Sequence, residues 1–258
     1  MKQFIAAITI VIGTLPLRSQ TRPSFEVASI KAGDAKDIRS GVHIQPGGLF
    51  RTENATLRTL ISFAYDLRNY EISGGPPWMD SEIFTIEAKA PAPIPTRRDY
   101  ETQIKIMIQS LLADRFRLTT HSETRQESVY DLVIARGGHK LRLADANATD
   151  STLTVRSGHL IANHIPLSQL VHSLSLQFGR AVIDKTGMSG RYDFDLSYMP
   201  EARDGIFGQL QPTAVGDVDP NSVSIFTAIT DQLGLQLESS KEAVALLVID
   251  HAEKPDAN

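Results

Sequence analysis

The chain has 258 residues, with 26 lysines and arginines against 30 aspartates and glutamates, and a formal net charge of −4 at pH 7. This slightly acidic balance argues against a nucleic-acid-binding protein, which needs a concentrated basic surface. With 41% hydrophobic residues the chain can bury a core, but without cysteine no disulfide helps to hold the fold.

The first residues, 1–20, have the features of a secretory signal peptide. Lys2 precedes an uncharged apolar stretch at 4–15, which ends at Pro16. Because about twelve apolar residues are too few for the ~20 that cross a bilayer, we favour cleavage over an uncleaved membrane anchor. We therefore expect an exported protein, periplasmic or secreted, with no transmembrane segment in the mature chain.

Alternating apolar and polar residues predict a series of short strands in the first half. These are residues 25–31, 42–45, 49–52, 70–72, 84–89, 115–120 and 129–135. Apolar residues at helical spacing predict a helix from Asn54 or Thr56 to about Leu67, and another over 97–114. The strands at 115–120 and 129–135 are predicted to pair with each other.

A similar order of elements returns after Ser151. The predicted strands are residues 153–155, 160–162, 181–183, 192–196, 235–238 and 244–250. A helix over 166–178 begins at a proline, which the first turn tolerates, and Gly179 is placed to end it. A polar stretch at 201–220 is predicted as a loop or linker, followed by a helix over 222–232.

The two halves match each other in register. The matching positions are Gly48 and Gly158, Leu57 and Leu167, Leu60 and Leu170, and Ile61 and Val171, all 110 residues apart. At the other matching positions the offset between the two halves changes only inside loops. This favours a duplication over a chance similarity of apolar patterns. We therefore predict an α+β fold of two tandem repeats, residues 21–145 and 151–258, each an antiparallel sheet with two helices packed on one face.

Sequence motifs for known chemistry are absent. The seven histidines include no His-Glu-x-x-His pair and no cysteine assists them, so structural or surface roles are favoured over metal binding. The chain has no Gly-x-Ser-x-Gly elbow and no Gly-x-Gly-x-x-Gly or Walker pattern. The sequence therefore predicts no catalytic residue, no metal site and no cofactor.

Two glycine-bearing loops carry the candidate binding residues. They are Ser73, Gly74, Gly75 and Trp78 in the first half, and Asp184, Lys185, Thr186 and Arg191 in the second. Trp78, the only tryptophan, suits a recognition surface, but a plug at the end of the core is the favoured interpretation. For Asp184 and Lys185, a local ion pair or turn hydrogen bond is favoured over catalysis.

Several stretches resemble a family of uncharacterised exported proteins that is abundant in acidobacterial-type soil bacteria. They are Phe-Glu-Val-Ala-Ser-Ile-Lys at 25–31, Gly-Gly-Pro-Pro-Trp at 74–78, Leu-Leu-Ala-Asp-Arg-Phe at 111–116, Asp-Lys-Thr-Gly at 184–187 and Val-Ile-Asp-His-Ala-Glu-Lys-Pro at 248–255. The resemblance runs from about Pro23 to the C-terminus and implies a domain of unknown function. Similar domains are sometimes fused to membrane-embedded sensor peptidases that resemble antibiotic-sensor proteins. This chain lacks their zinc motif, so the resemblance implies no protease activity.

Residues 166–196 show a second, shorter resemblance. Their order of helix, Gly-Arg, Val-Ile-Asp, Gly-Met-Ser-Gly and Tyr-Asp-Phe-Asp-Leu is similar to the short N-terminal domain of secretins and TonB-dependent receptors. That resemblance implies a small module that mediates contacts in the periplasm.

These observations favour a non-enzymatic exported module that binds a protein, a peptide or an envelope component. The expected site is the surface between the repeats, near the loops 73–81 and 184–191. One alternative is a hydrolase or other enzyme that uses Asp184, Lys185 or a histidine. Another is a structural envelope protein with a flat apolar interface. The sequence indicates neither the partner nor the oligomeric state.

Overall fold

The computed structural model describes residues 22–34, 41–45, 47–92, 97–145, 149–156, 158–199 and 223–256. The predicted signal peptide at 1–20 and the predicted linker at 201–220 lie outside these ranges. Strands make up 45% of the structure and helices 27%, so the protein is mostly β.

The strands are numbered in chain order. They are β1 Val27–Ala32, β2 Gly41–Gln45, β3 Leu49–Thr56, β4 Ile72–Gly74, β5 Ile83–Lys89, β6 Thr119–Ile134, β7 Arg142–Leu143, β8 Thr152–Arg156, β9 His159–Pro166, β10 Val182–Asp184, β11 Arg191–Ser197 and β12 Leu235–His251. The helices are α1 Leu57–Tyr65, α2 Arg97–Arg115, α3 Leu167–Phe178 and α4 Ile225–Ala228, and α4 continues into a π-helical turn, Ile229–Leu233. Two 3-10 turns, Asn69–Glu71 and Pro77–Asp80, flank β4.

These strands form three sheets of four strands. The first outer sheet has the order β1-β5-β3-β2 and the second has β7-β11-β9-β8, and all their pairings are antiparallel. The central sheet has the order β10-β6-β12-β4. Its two long strands, β6 and β12, are antiparallel to each other, whereas β10 runs parallel to β6 and β4 runs parallel to β12.

The predicted fold class, two tandem repeats that each have one sheet and two helices, is therefore wrong. The central sheet takes β4 and β6 from the first half of the chain and β10 and β12 from the second. Apolar alternation in a sequence shows which residues form strands and which face is buried, but it does not show which strands pair. Here β6 of the first half pairs with β12 of the second, so the halves share a sheet.

The pairing predicted at the end of the first half is also wrong. Residues 115–120 and 129–135 were expected as separate strands, but Thr119–Ile134 is one continuous strand. It pairs along its length with β12, from Thr119 opposite His251 to Ile134 opposite Leu235. The polar residues between the predicted strands hid this continuity, because a strand without a buried face has no apolar alternation.

Two hydrophobic cores are closed by opposite ends of the central sheet. In the first, Leu247 and Ile249 of β12 join α1, α2 and the first outer sheet. In the second, Leu132 of β6 and Leu235 of β12 join α3, α4 and the second outer sheet. The side chains on the middle of β6 and β12 belong to neither core.

The helices begin and end where their sequences indicate. The Thr56 side chain caps α1 by accepting a hydrogen bond from the backbone N–H of Thr59 at 3.2 Å. Four apolar residues of α1 at helical spacing, Leu57, Leu60, Ile61 and Ala64, are buried. Gly179 ends α3 in a left-handed conformation with φ of 60°, which a glycine adopts without strain.

Candidate functional site

The first predicted loop follows β4, at one edge of the central sheet. The Ser73 hydroxyl accepts a hydrogen bond from Nη1 of Arg125 at 3.2 Å. Gly74 and Gly75 have φ of 75° and 89°, a left-handed conformation that favours glycine. A Cβ atom on Gly75 would also collide with the sulfur of Met79. The glycines are therefore required by the path of the backbone and by the lack of space around it.

Two residues of the 3-10 turn in this loop close one end of the first core. Met79 is 0% exposed. Trp78 is half-buried, and its ring meets Phe84 edge-on with the centroids 6.2 Å apart. Arg58 of α1 holds the turn from the other side through an ion pair with Asp80. Trp78 thus contacts the core with its ring.

The second predicted loop follows β10 and is an exposed turn. Asp184 Oδ1 accepts hydrogen bonds from the backbone N–H of Thr186 at 2.9 Å and from its hydroxyl at 2.7 Å. The Thr186 hydroxyl in turn accepts from the N–H of Met188 at 3.1 Å. Lys185 Nζ donates to Glu242 of β12 at 3.0 Å, and this carboxylate raises the pKa of Lys185.

Arg191 lies on the second outer sheet and supports the end of β9, just before α3. Its guanidinium donates to the carbonyl of His164 at 2.9 Å. His164 has a φ of 52°, which is unusual for a residue with a side chain. The Asp193 carboxylate accepts from the His164 N–H at 2.8 Å, and this bond, with help from Arg142, lowers the pKa of Asp193.

The two predicted loops do not converge. Gly74 lies beside Ile249 of β12, which is opposite Thr120 of β6, whereas Asp184 lies beside Leu132 of β6. The two contact points are twelve positions apart on β6, which corresponds to about 40 Å of extended strand. They also lie at opposite edges of the central sheet. A ligand of ordinary size therefore cannot touch both loops at once.

The face of β6 and β12 that points away from the two cores is strongly charged. We call it the charged face. Its charged residues are His121, Glu123, Arg125, Glu127 and Asp131 on β6, Glu238, Glu242 and Asp250 on β12, and Lys185 after β10. Six carboxylates in this set face two permanently charged cations, so the charged face is acidic.

Most of the side chains on the charged face are paired. Arg125 binds Glu123 at 2.6 Å and lowers its pKa, and His121 lies 2.8 Å from Asp250. Glu127, Asp131 and Glu238 differ, because in the described ranges no hydrogen bond or ion pair reaches their carboxylates. Asp131 stands directly opposite Glu238, and Glu127 stands opposite Glu242, which Lys185 binds. Like charges at facing positions of a sheet repel each other.

A cleft of about 330 Å³ opens in the middle of the molecule. We call it the central cleft. It is lined by Tyr70, Glu127, Ser128, Val129, Gly179, Arg180, Ala181 and Val244. The lining therefore combines part of the charged face with the segments that lead into β4 and β10. Val129 is 1% exposed and, with Val244, supplies an apolar part of the wall.

Arg180 carries the positive charge of the central cleft. Its guanidinium lies 4.9 Å from the ring centroid of Tyr130, a cation–π contact. Tyr130 packs in turn against Phe178 and Phe226, with ring centroids 5.2 and 5.4 Å away. No hydrogen bond or ion pair to the guanidinium occurs within the part of the chain that the structure describes. Its donors are therefore available to a ligand.

The segment before β4 contacts α3 beside the central cleft. Burial, and then the charge of Glu71, raises the pKa of Tyr70, so its phenol is neutral at pH 7. A guanidinium nitrogen of Arg68 lies 2.8 Å from Nδ1 of His172 on α3. Burial, and then the charge of Arg68, lowers the pKa of His172. These contacts join the two halves of the chain at the central cleft.

The arrangement suits the binding of charged groups. Glu127 supplies an unpaired acceptor, Arg180 supplies unpaired donors, and Tyr70 supplies a neutral phenol. In the described ranges, no three histidine or carboxylate side chains are grouped so as to hold a metal ion. Nor does any helix in those ranges have the length and apolar character needed to cross a membrane.

Sequence reasoning missed Glu127, Arg180 and Tyr70 as candidate residues. Arg180 had a partial signal, because it follows the predicted end of α3 at Gly179. Glu127 had none, because it lies in the polar stretch that was placed between two predicted strands. The pairing of β6 with β12 and β10, and of β12 with β4, brings these residues to the same cleft.

Comparison with known proteins gives one match. The sequence model of the family described as a protein of unknown function (DUF3738) matches residues 58–252. No curated protein and no solved structure matches the chain.

Proposed function

This chain belongs to the family described as a protein of unknown function (DUF3738), and because that family supplies no activity, we propose a function from the surface of the chain itself. The protein is a non-enzymatic exported module that binds an extended segment of a protein or peptide in the periplasm or outside the cell. The segment adds as a strand to the outer edge of β6.

The open edge of β6 is the observation that carries this proposal. β10 pairs with only Tyr130, Asp131 and Leu132 at one end of this long strand. From Thr119 to Val129, no further strand of the described ranges pairs with that edge. An exposed edge of this length is a template for another chain, and proteins use it to capture extended peptides.

The backbone groups that such a peptide needs point outward from the even-numbered residues. The N–H of Tyr130 donates to the carbonyl of Ala181 at 3.0 Å, and the carbonyl of Leu132 accepts from the N–H of Lys185 at 2.9 Å. Because strand geometry repeats every two residues, the same groups of Thr120, Ser122, Thr124, Gln126 and Ser128 face the open edge. The last four of these residues have exposed side chains.

The matching edge of β12 is more protected. β4 pairs with Leu247, Val248 and Ile249, and the turn Asn69–Glu71, which leads into β4, lies against β12 as well. The edge of β6 is therefore the better site for strand addition.

Three further considerations support binding over catalysis. The predicted signal peptide would direct the protein to the compartments where envelope and extracellular partners are found. The resemblance of residues 166–196 to secretin-type periplasmic domains is in keeping with a contact role. Asp184 and Lys185, two of the residues named for the enzyme alternative beside a histidine, are engaged by Thr186 and Glu242.

A proline substitution tests the edge directly. Gln126→Pro removes an outward N–H without removing a hydrogen bond to β12, and an edge strand tolerates proline at such a position. The control, Gln126→Ala, removes the same side chain but keeps the N–H. The probes are peptides of about eight residues selected from a random library on the wild-type protein.

We expect the selected peptides to bind the proline variant about tenfold or more weakly, and the alanine variant with unchanged affinity. Hydrogen exchange of the bound protein should slow at residues 120–128. Equal binding to all three proteins, or protection at another edge, would refute strand addition to β6.

A further inference from the structure

We propose that the central cleft recognises the C-terminal end of the added segment. The segment runs parallel to β6, its terminal carboxylate binds Arg180, and a lysine or arginine near that end binds Glu127. This inference rests on the proposed function, because it assigns a direction and a chemical class to the segment on the edge of β6.

Two unpaired charges in the same cleft lead to this inference. The Arg180 guanidinium contacts the ring of Tyr130, and in the described ranges it has no hydrogen bond or ion pair. The Glu127 carboxylate likewise has no hydrogen bond or ion pair there, because its neighbour Arg125 is bound to Glu123 and Ser73 and is attracted to Glu127 only from a longer distance. Opposite charges that share a cleft without neutralising each other fit a ligand that carries both signs.

The direction of the segment follows from the central sheet. Both of its short edge strands, β4 and β10, run parallel to the long strand beside them. The open edge of β6 leads from Thr119 towards Val129, where Gly179, Arg180 and Ala181 cross in front of it and line the central cleft. A segment parallel to β6 therefore ends at Arg180 with its C-terminus.

Arg180 suits a terminal carboxylate in its chemistry. A guanidinium presents several donors in one plane, which match the two oxygens of a carboxylate, and charge-assisted hydrogen bonds of this kind are the strong ones. The stacked rings of Tyr130, Phe178 and Phe226 fix the position of the guanidinium before a ligand arrives. A fixed donor loses less conformational entropy on binding.

Glu127 suits a basic side chain near the terminus. Residues at neighbouring positions of paired strands project to the same face, so the residue beside Glu127 in the added strand enters the charged face. Its cation would lie beside the Glu127 carboxylate, since Glu242 on the facing strand is already bound by Lys185. Its aliphatic stem would cover Val129 and Val244. The volume of about 330 Å³ is at the lower end of ligand sites, which suits one or two residues rather than a large ligand.

The test compares the peptides selected on the wild-type protein as free acids and as C-terminal amides. We expect the free acids to bind about tenfold more tightly. Arg180→Gln should remove this difference, because the uncharged glutamine cannot distinguish a C-terminal carboxylate from a C-terminal amide. Arg136→Gln, which changes an exposed arginine in the turn after β6, is the matched control and should keep the difference.

A second comparison tests Glu127. Replacing the basic residue nearest the C-terminus by alanine should weaken binding to the wild-type protein about tenfold. The Glu127→Gln variant should bind the basic and the alanine peptides equally. Arg180 and Glu127 both line an open cleft, so neither variant removes a core side chain.

The outcomes separate this inference from the function on which it rests. If acids and amides bind the wild type equally while Gln126→Pro still weakens binding, recognition of the C-terminus is wrong and strand addition stands. If Gln126→Pro has no effect, strand addition itself is wrong. If the library contains no peptide that binds the wild type, both proposals are rejected.

Discussion

The loops that follow β4 and β10 hold corresponding positions in the two halves, but they have different environments. The loop after β4 places Met79 in the first core with 0% of its surface exposed. The loop after β10 keeps Asp184 and Lys185 at the surface, held by Thr186 and Glu242. One loop is therefore part of a core, and the other is a solvent-exposed turn.

This difference shows that equal positions in the chain do not imply equal roles. In the first core, Trp78 packs against Phe84, and Phe84 packs against Phe116 with ring centroids 5.2 Å apart. In the second core, the aromatic residues come from β6, α3, α4, β11 and the residue that follows β11, and the loop after β10 contributes only a partly buried Met188. The predictions below test this asymmetry by changing matched residues in the two loops.

The largest effect is expected for the methionines of the two loops. Met79→Ala leaves a cavity in the first core and should lower the free energy of unfolding by about 2–5 kcal/mol. Met188→Ala, its partner in the second loop, should cost less than half as much, because Met188 is only partly buried. Urea unfolding of both variants measures the difference. Equal losses would show that the loops are equivalent after all.

The next effect concerns one glycine in each loop. Gly187 has φ of 67° and open space around it, so Gly187→Ala should cost only the left-handed backbone penalty, about 1–2 kcal/mol. Gly75→Ala carries the same penalty and also forces a methyl group against Met79, which adds about 1–3 kcal/mol.

The double variant Gly75→Ala, Met79→Ala sharpens this test. Because the alanine at 79 frees the space that the new methyl group needs, the two changes together should cost less than the sum of the single changes. Thermal and urea unfolding of the four proteins in the cycle give the coupling energy. Simple additivity would mean that the methyl group at 75 and the side chain at 79 do not collide.

Local structure could be predicted from the sequence wherever one side of an element is buried. Leu57, Leu60 and Ile61 predicted α1, and all three are 0% exposed. The prediction that Gly179 ends α3 is confirmed by its left-handed conformation. In such elements the apolar spacing and the caps of a helix depend on neighbours in sequence, so the sequence alone contains the signal.

The central sheet could not be predicted in this way. The polar stretch His121–Ser128 has no apolar alternation, since most of its side chains reach solvent, and it was therefore placed outside the predicted strands. Its strand conformation comes from pairing with β12, more than a hundred residues away in sequence. The central cleft depends on the same pairing. Consequently the sequence could indicate the loops but not which side chains would meet.

The smallest predicted effect lies where the segment before β4 meets the helix before β10, at Arg68 and His172. In the folded protein burial and the charge of Arg68 lower the pKa of His172 below its usual value. The unfolded chain therefore binds more protons as the pH falls through about 6.5, the usual histidine pKa, and stability decreases towards acid.

The variant His172→Gln removes the imidazole that binds this proton and leaves the other histidines in place. Between about pH 7.5 and pH 5.5, the thermal midpoint of the wild type should fall more than that of the variant. Arg68→Gln should reduce the difference, because the remaining cause of the lowered pKa is partial burial alone. A variant that loses as much stability as the wild type over this range would show that protonation of His172 does not oppose the contact between the two halves.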